Sequence, residues 1–326
     1  MARPVRLVAW MEHRQVPIYL AAMVVGGVVG FAAPGSGSSL EHAINPALAG
    51  LLYVTFLQVP AADLLRSLKD GRFVGAALVI NFVIVPIVVA AVFLLLPADQ
   101  TIRVGVLLVL LTPCVDYVIV FSGIAGGNSE RLLASTPLLL ILQMALLPVF
   151  LVLFMGSDLA DIVEVGPFLH AFLILIVIPL TLAWLTQAWA ARARSGRLVA
   201  AGASTLMVPL MVAVLAVVVA SQIPKLDNNL TDVASVIPFY VAFLIIMAFA
   251  GTLLSRLFRL DVPASRAITF SGATRNSLVV LPLALALPAG YELAAAVVVT
   301  QTLVEIIGMV AYIRIIPRLL PNAVNR

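Results

Sequence analysis

Ten stretches of this chain stay apolar for about 20 residues each, the length that crosses the hydrocarbon core of a bilayer as a helix. They run over roughly 16–33, 44–60, 73–97, 102–124, 132–155, 166–188, 198–221, 233–255, 264–287 and 291–315. The loops between them are short and rich in Gly, Pro, Asp and Arg, leaving no room for a soluble domain. Only 10% of the 326 residues are charged, where a soluble domain carries about 25%. The expected class is therefore an all-α, multi-pass membrane protein.

The basic residues orient it. Cytoplasmic loops of membrane proteins collect Lys and Arg. With the N-terminus inside, 16 of the 19 basic residues fall on the cytoplasmic side and two, Arg103 and Lys225, outside. The remaining one, Arg275, lies within a span. Both termini are then cytoplasmic. The pI of 9.6 reflects this sorting, and no nucleic-acid partner is expected. The first span is too long for the apolar part of a signal peptide, and Asn229-Leu230-Thr231 is a formal sequon without consequence in a bacterial protein.

Ten spans divide into five plus five, residues 1–160 and 161–326. Five is odd, so the second half enters the membrane from the opposite side, the condition for an inverted repeat. Secondary transporters with this plan bind solute where matching helices of the two halves are interrupted. The fourth span is interrupted at Thr112-Pro113-Cys114 and its counterpart, the ninth, at Gly272 to Ser277. Cys114 lies 11 residues after Arg103, and Ser277 lies 11 after Arg266. At 1.5 Å per residue both breaks reach roughly 15–18 Å into the bilayer. Discontinuous helices 4 and 9 are thus expected to cross near the midplane.

The polar residues at these depths are the candidates for function. Asp116 and Arg275 are intramembrane charges, which must face a cavity or each other; a structural ion pair and a role in coupling are both open. Glu305, in the tenth span, can take up and release a proton, with Gln301 and Thr302 beside it at helical spacing. Cys114, the only cysteine, excludes a disulfide framework or a CxxC site. On the break its soft sulfur can hold a thiophilic solute. Thr112, Asn276 and Ser277 offer hydroxyl and amide contacts there. Gln58, Asn81 and Gln143 either line a path or join helices. No nucleophile–base set, phosphate loop or metal-binding spacing is present, so neither an enzyme nor a cofactor is expected.

Four blocks carry a resemblance: NFVIVPIVVAAVF (Asn81 to Phe93), TPCVDYVIVFSGIAGGN (Thr112 to Asn128), GATRNSLVVLPLALALP (Gly272 to Pro288) and VVVTQTLVEIIGMV (Val297 to Val310). In order and spacing they resemble the bile acid/arsenite/riboflavin transporter superfamily, which implies ten helices in an inverted five-plus-five repeat. Within it the chain looks most like the arsenite efflux permeases. The resemblance gives Cys114 the place of their required fourth-span cysteine and Glu305 that of their last-span glutamate. Two departures stand out. Asp116 replaces a small uncharged residue, and Arg275-Asn276-Ser277-Leu278 differs from the permeases' ninth-span pattern.

In the sibling sodium-coupled bile acid symporters, the ninth-span positions that hold sodium correspond to Ser271 and Arg275. A fixed cation there repels a second one 4 Å away by about 4 kcal/mol at an effective dielectric of 20. The expected function is efflux of arsenite, with antimonite as a further cargo, in exchange for protons across the inner membrane. Cys114 would be the transient ligand, Glu305 with Asp116 the coupling carboxylates, and one helix bundle would rock against another around the site. The alternative is a proton- or sodium-coupled carrier of small organic anions, with Arg275 as the anion contact.

Overall fold

A computed structural model describes residues 10–11, 14–33, 35, 37–58, 70–115, 117–156, 170, 173–226 and 230–321. Among them the chain is helical, with no strand. In order the helices are α1 (Gln15–Ala32), α2 (Gly37–Leu57), α3 (Gly71–Val79) and α4 (Val85–Leu95), the last two joined through a π-type turn, Ile80–Ile84. Next come α5 (Gln100–Leu110), α6 (Tyr117–Ile124), α7 (Ser129–Met155), α8 (Ile178–Arg192), α9 (Arg194–Ser204) and α10 (Met207–Gln222). The chain closes with α11 (Ile237–Leu257), α12 (Val262–Ala273), α13 (Ser277–Leu285) and α14 (Leu293–Leu319).

Four described helices are long and apolar enough to cross a membrane unaided: Gly71–Leu95, Ser129–Met155, Leu230–Leu257 and Leu293–Leu319. The pair α9 and α10, bent by 40°, makes a fifth if taken as one span. The sequence divides more finely because it counts apolar residues straight through interruptions. The fourth and ninth apolar stretches each split into two short helices, α5 with α6 and α12 with α13.

The chain forms two compact units. One holds Met1–Pro60 and Gly166–Leu230, the other Ala61–Val165 and Thr231–Arg326. The two sequence halves, 1–160 and 161–326, each contribute to both units. In the first unit α10 packs against α1 and α2, and α8 against α2. Gly26 and Gly30, four apart on α1, let α1 lie directly on α10. A Cβ at Gly26 would fall 2.5 Å from the Ala216 carbonyl oxygen, and one at Gly30 2.8 Å from that of Ala220. Small residues at this spacing let helix backbones touch, which drives packing in lipid where the hydrophobic effect does not.

The second unit packs α5 against α14, α11 against α12 and α14, and α13 against α14. Gly105 presses α5 onto α14, since a Cβ there would meet the Val297 side chain at 2.9 Å. Helix starts in this unit are set by Asx side chains. Asp70, Asp99, Asn128, Asp261 and Asn276 each accept the backbone N–H three residues on, satisfying a donor that the helix leaves orphaned. Four of these caps open full turns at helix ends. The fifth, Asn276, opens α13 in the interior of the unit.

Candidate functional site: the crossing of two broken helices

Pro113 has no backbone N–H and clashes with the preceding turn, so α5 stops before it. Leu111 closes the helix, and the Thr112 hydroxyl turns back to donate to the Leu108 carbonyl at 2.8 Å. The ninth stretch breaks between Ala273 and Ser277. The two exposed backbones then satisfy each other. The Cys114 N–H donates to the Thr274 carbonyl at 3.2 Å and the Asn276 N–H donates to the Thr112 carbonyl at 2.8 Å. These bonds form a two-residue antiparallel bridge centred on Pro113 and Arg275. An irregular backbone in an apolar interior needs this kind of partner, and each break supplies it to the other.

Glu305 completes the junction from α14. One carboxylate oxygen, Oε2, accepts the backbone N–H of Arg275 at 2.7 Å and also a hydrogen from the Gln301 amide. The other, Oε1, lies 2.6 Å from the Tyr117 hydroxyl, at the first residue of α6. That same hydroxyl is 3.0 Å from the Arg275 carbonyl. It therefore has two acceptors within reach, one on the carboxylate and one on the break itself. Glu305 is fully buried.

Arg275 is the largest fully buried side chain of the described residues. Its guanidinium lies in a shell of oxygens. Nη2 donates to Asn81 Oδ1 at 2.7 Å, to the Ser271 carbonyl at 2.7 Å and to the Gly272 carbonyl at 2.9 Å, and Nη1 donates to the Leu110 carbonyl at 3.3 Å. Phe243 presents its ring 5.8 Å from the guanidinium carbon. Asn81 is itself fixed, its amide donating to Ser271 Oγ at 2.9 Å and to the Ala77 carbonyl at 3.0 Å. The Ser271 and Gly272 carbonyls belong to the last turn of α12, and that of Leu110 to the last turn of α5. Both helix ends carry partial negative charge, which a buried guanidinium offsets. No carboxylate among the described residues forms an ion pair with it.

The residues singled out in the sequence, Asp116 apart, can each be placed. Cys114 is buried on the bridge, in no disulfide. Asn276 caps α13 through Oδ1, and its Nδ2 has no hydrogen-bond partner. Ser277 Oγ accepts from the Thr302 hydroxyl at 2.6 Å, joining α13 to α14. Thr112 spends its hydroxyl on its own helix. Asp116 lies outside the described residues. Gln143 is buried on α7 with both amide atoms unpartnered among the described residues, and within the first unit Gln58 donates to the Met207 sulfur.

Three buried polar atoms of the junction lack a partner among the described residues: Arg275 Nε, Asn276 Nδ2 and Gln301 Oε1. Two are donors and one is an acceptor, a set that can receive a small polar solute. No three His, Cys, Asp or Glu side chains converge among the described residues.

Sequence reasoning missed Tyr117, left Asn81 without a partner and did not foresee the burial of Arg266. Tyr117 had a signal, being the first residue able to donate after the break. Asn81 stood out only as a polar residue in a span, without a partner to assign. Arg266, grouped with the cytoplasmic cations, is buried in the structure. Its guanidinium donates to the Leu320 carbonyl at 2.8 and 3.1 Å and to the Ala125 carbonyl at 3.0 Å, tying the ends of α14 and α6 to α12. Proximity to a loop in sequence does not reveal that two helix C-termini close over it.

No curated protein matches the chain. The model of the SBF-like CPA transporter family matches residues 18–311, nearly the whole chain. A family-wide match of that length agrees with the apolar helices and the paired breaks: the chain is a multi-pass membrane transporter and belongs to the SBF-like CPA transporter family.

Proposed function

We propose that this chain is a secondary transporter of the inner membrane that extrudes arsenite, and antimonite with it, in exchange for protons. The observation that carries the reading is the position of the only thiol. Cys114 sits on the backbone bridge between two broken helices, with the Glu305 carboxylate bound to the neighbouring peptide. In this reading the two breaks lie near the bilayer midplane and belong to an inverted five-plus-five repeat.

Arsenite at neutral pH is the uncharged trihydroxide. The Cys114 thiol displaces one hydroxide. A sulfur–arsenic bond forms, an arsenic–oxygen bond breaks, and the thiol proton leaves with the hydroxide as water, with no change of oxidation state. One sulfur holds the cargo reversibly, where three would retain it. The two remaining hydroxyl groups suit the mixed set of unpartnered atoms, with Arg275 Nε and Asn276 Nδ2 donating and Gln301 Oε1 accepting.

Glu305 provides the coupling. As a carboxylate it accepts from Tyr117, Gln301 and the Arg275 amide. A proton on Oε2 removes the acceptor for the Arg275 N–H and loosens the ninth-span break. A proton on Oε1 displaces the Tyr117 hydroxyl toward the Arg275 carbonyl, 3.0 Å away. Either event changes how the crossing is held. Asp116 is assigned a shared role in this step from sequence alone.

Protons are favoured over sodium because the oxygens that could bind a hard cation are taken by the Arg275 guanidinium. A tethered cation fills the position, and a second would be repelled. The test is a vesicle assay of arsenite flux under imposed gradients: a proton gradient drives it, a sodium gradient does not, and Cys114→Ser abolishes it.

A second reading rests on a different observation. The unpartnered donors of Arg275 and Asn276 lie at the N-terminus of α13, whose partial positive charge favours anions. A small organic carboxylate would suit them without the thiol. In that case Cys114→Ser leaves organic-anion transport intact and arsenite is not moved.

A further inference from the structure

The surface of the second unit carries a groove of about 600 Å³ between the C-terminal halves of α11 and α14. Its floor is a stripe on α11, Ile246, Phe249 and Leu253, spaced as one helix face, with Leu319 of α14 as the opposite wall. Leu253 is 70% and Phe249 63% exposed. At one end of the stripe, one turn beyond Leu253, stands Arg256.

The charge at that end is one-sided. Arg256 lies in the last turn of α11 and Arg259 just beyond it, and Arg314 and Arg318 lie on the last turns of α14. No Asp or Glu occurs from Ile237 to Leu260 or from Ile306 to Pro321. The nearest acid in sequence, Asp261, is engaged elsewhere: one oxygen caps α12 through the Ala264 N–H and the other pairs with Arg131 at 2.9 Å. The Arg256 guanidinium makes no hydrogen bond to another described residue. An apolar trough with a cationic end and no internal counter-charge is complementary to an amphiphile whose head is an anion. Basic pockets between transmembrane helices on the cytoplasmic side bind anionic lipid head groups, and the arginine distribution places this end on that side.

We propose that this groove is a binding site for one anionic phospholipid, its phosphate on Arg256 and an acyl chain along Phe249, Leu253 and Leu319. The site lies within a single unit and is independent of the cargo.

The test uses the full-length transporter purified in detergent, with phosphatidylglycerol and phosphatidylcholine of identical chains as probes. Retention is read by native mass spectrometry and melting temperature by a thermal shift. Phosphatidylglycerol is retained preferentially and raises the melting temperature. Arg256→Gln weakens that retention roughly tenfold, the loss of about one charge-assisted hydrogen bond. Leu253→Trp, which fills the trough while keeping the charge, also lowers it. Glycerol phosphate, which has the head chemistry without chains, does not compete.

Three results overturn the proposal. The lipids are retained equally. Arg256→Gln leaves the preference unchanged while the protein stays folded. Or disulfide cross-linking of Leu253→Cys in membranes, in a Cys114→Ala background, yields a covalent dimer, which assigns the groove to a second copy.

Discussion

The Glu305 carboxylate accepts the backbone N–H of Arg275 at 2.7 Å, across 30 residues of sequence. A side chain on an unbroken helix thus completes the hydrogen bonding of a helix that is interrupted. The carboxylate is both part of the scaffold and a group able to bind a proton, and a transporter can exploit that overlap. A proton on Oε2 would take away the acceptor of the Arg275 N–H at the crossing.

Glu305→Gln keeps the size of the side chain and can still accept one hydrogen bond, but it cannot exchange a proton. Arsenite flux in Glu305→Gln vesicles is expected to lose its response to an imposed proton gradient, while the protein still accumulates in the membrane. Flux measured at several gradients checks this. A gradient response equal to that of the unaltered protein would remove Glu305 from the coupling.

Tyr117→Phe removes the hydroxyl that has both Glu305 and the Arg275 carbonyl within reach. The expected cost in stability is about 1.5–3 kcal/mol, as for a hydrogen bond to a charged group. The pH dependence of flux should shift as well, because Tyr117 hydrogen-bonds Glu305, the carboxylate proposed to carry the proton. Thermal unfolding gives the first number and a pH profile of flux the second. A stability loss with an unmoved profile would confine Tyr117 to the scaffold.

Much of this junction could be read in the sequence, and the part that could not has a physical reason. Pro113 and the polar run Thr274 to Ser277 mark the two breaks, because hydrocarbon gives a freed backbone no other partner. Ser277 and Cys114 sit at equal depth from Arg266 and Arg103, which suggests that the breaks meet. The bridge through Thr112, Cys114, Thr274 and Asn276 bears this out. The partner of Arg275 was not legible. A buried guanidinium suggests a carboxylate, and the intramembrane acid the sequence offered for it, Asp116, lies outside the described residues. Among the described residues, however, the shell is built from carbonyls and Asn81, and backbone carbonyls carry no signature in sequence. The burial of Arg266 was not legible for the same reason: its partners are the carbonyls of Ala125 and Leu320.

Arg275→Ala leaves Asn81 and three carbonyls facing a buried space without their donor. Each buried oxygen left without its donor costs about 1–3 kcal/mol, which over these four is a large fraction of the stability of an ordinary domain. Arg275→Ala is therefore expected to reduce the amount of folded protein in membranes sharply. Arg275→Lys should be only partly tolerated, because an ammonium cannot reproduce the planar fork. Fluorescence size-exclusion profiles of the three forms check the order. Normal levels of Arg275→Ala would show that the oxygen shell needs no cation.

Arg266→Met retains the apolar stem and deletes the donors to Ala125 and Leu320. Two helix-end carbonyls lose their partners, for an expected loss of about 2 kcal/mol or more. Faster hydrogen exchange at the ends of α6 and α14 should accompany it, with exchange around Cys114 unchanged. Uniformly faster exchange would mean that Arg266 supports the whole unit rather than these two helix ends.

The central claim is that the Cys114 thiol at the crossing carries a trivalent metalloid against a proton gradient. Its most direct test is radiolabelled or mass-traced arsenite uptake into inside-out vesicles energised by protons, comparing the unaltered protein with Cys114→Ser. The account predicts concentrative, sodium-independent uptake that disappears in Cys114→Ser while the protein level holds. Uptake that persists without the thiol, or no arsenite uptake alongside proton- or sodium-driven movement of an organic anion, would contradict it.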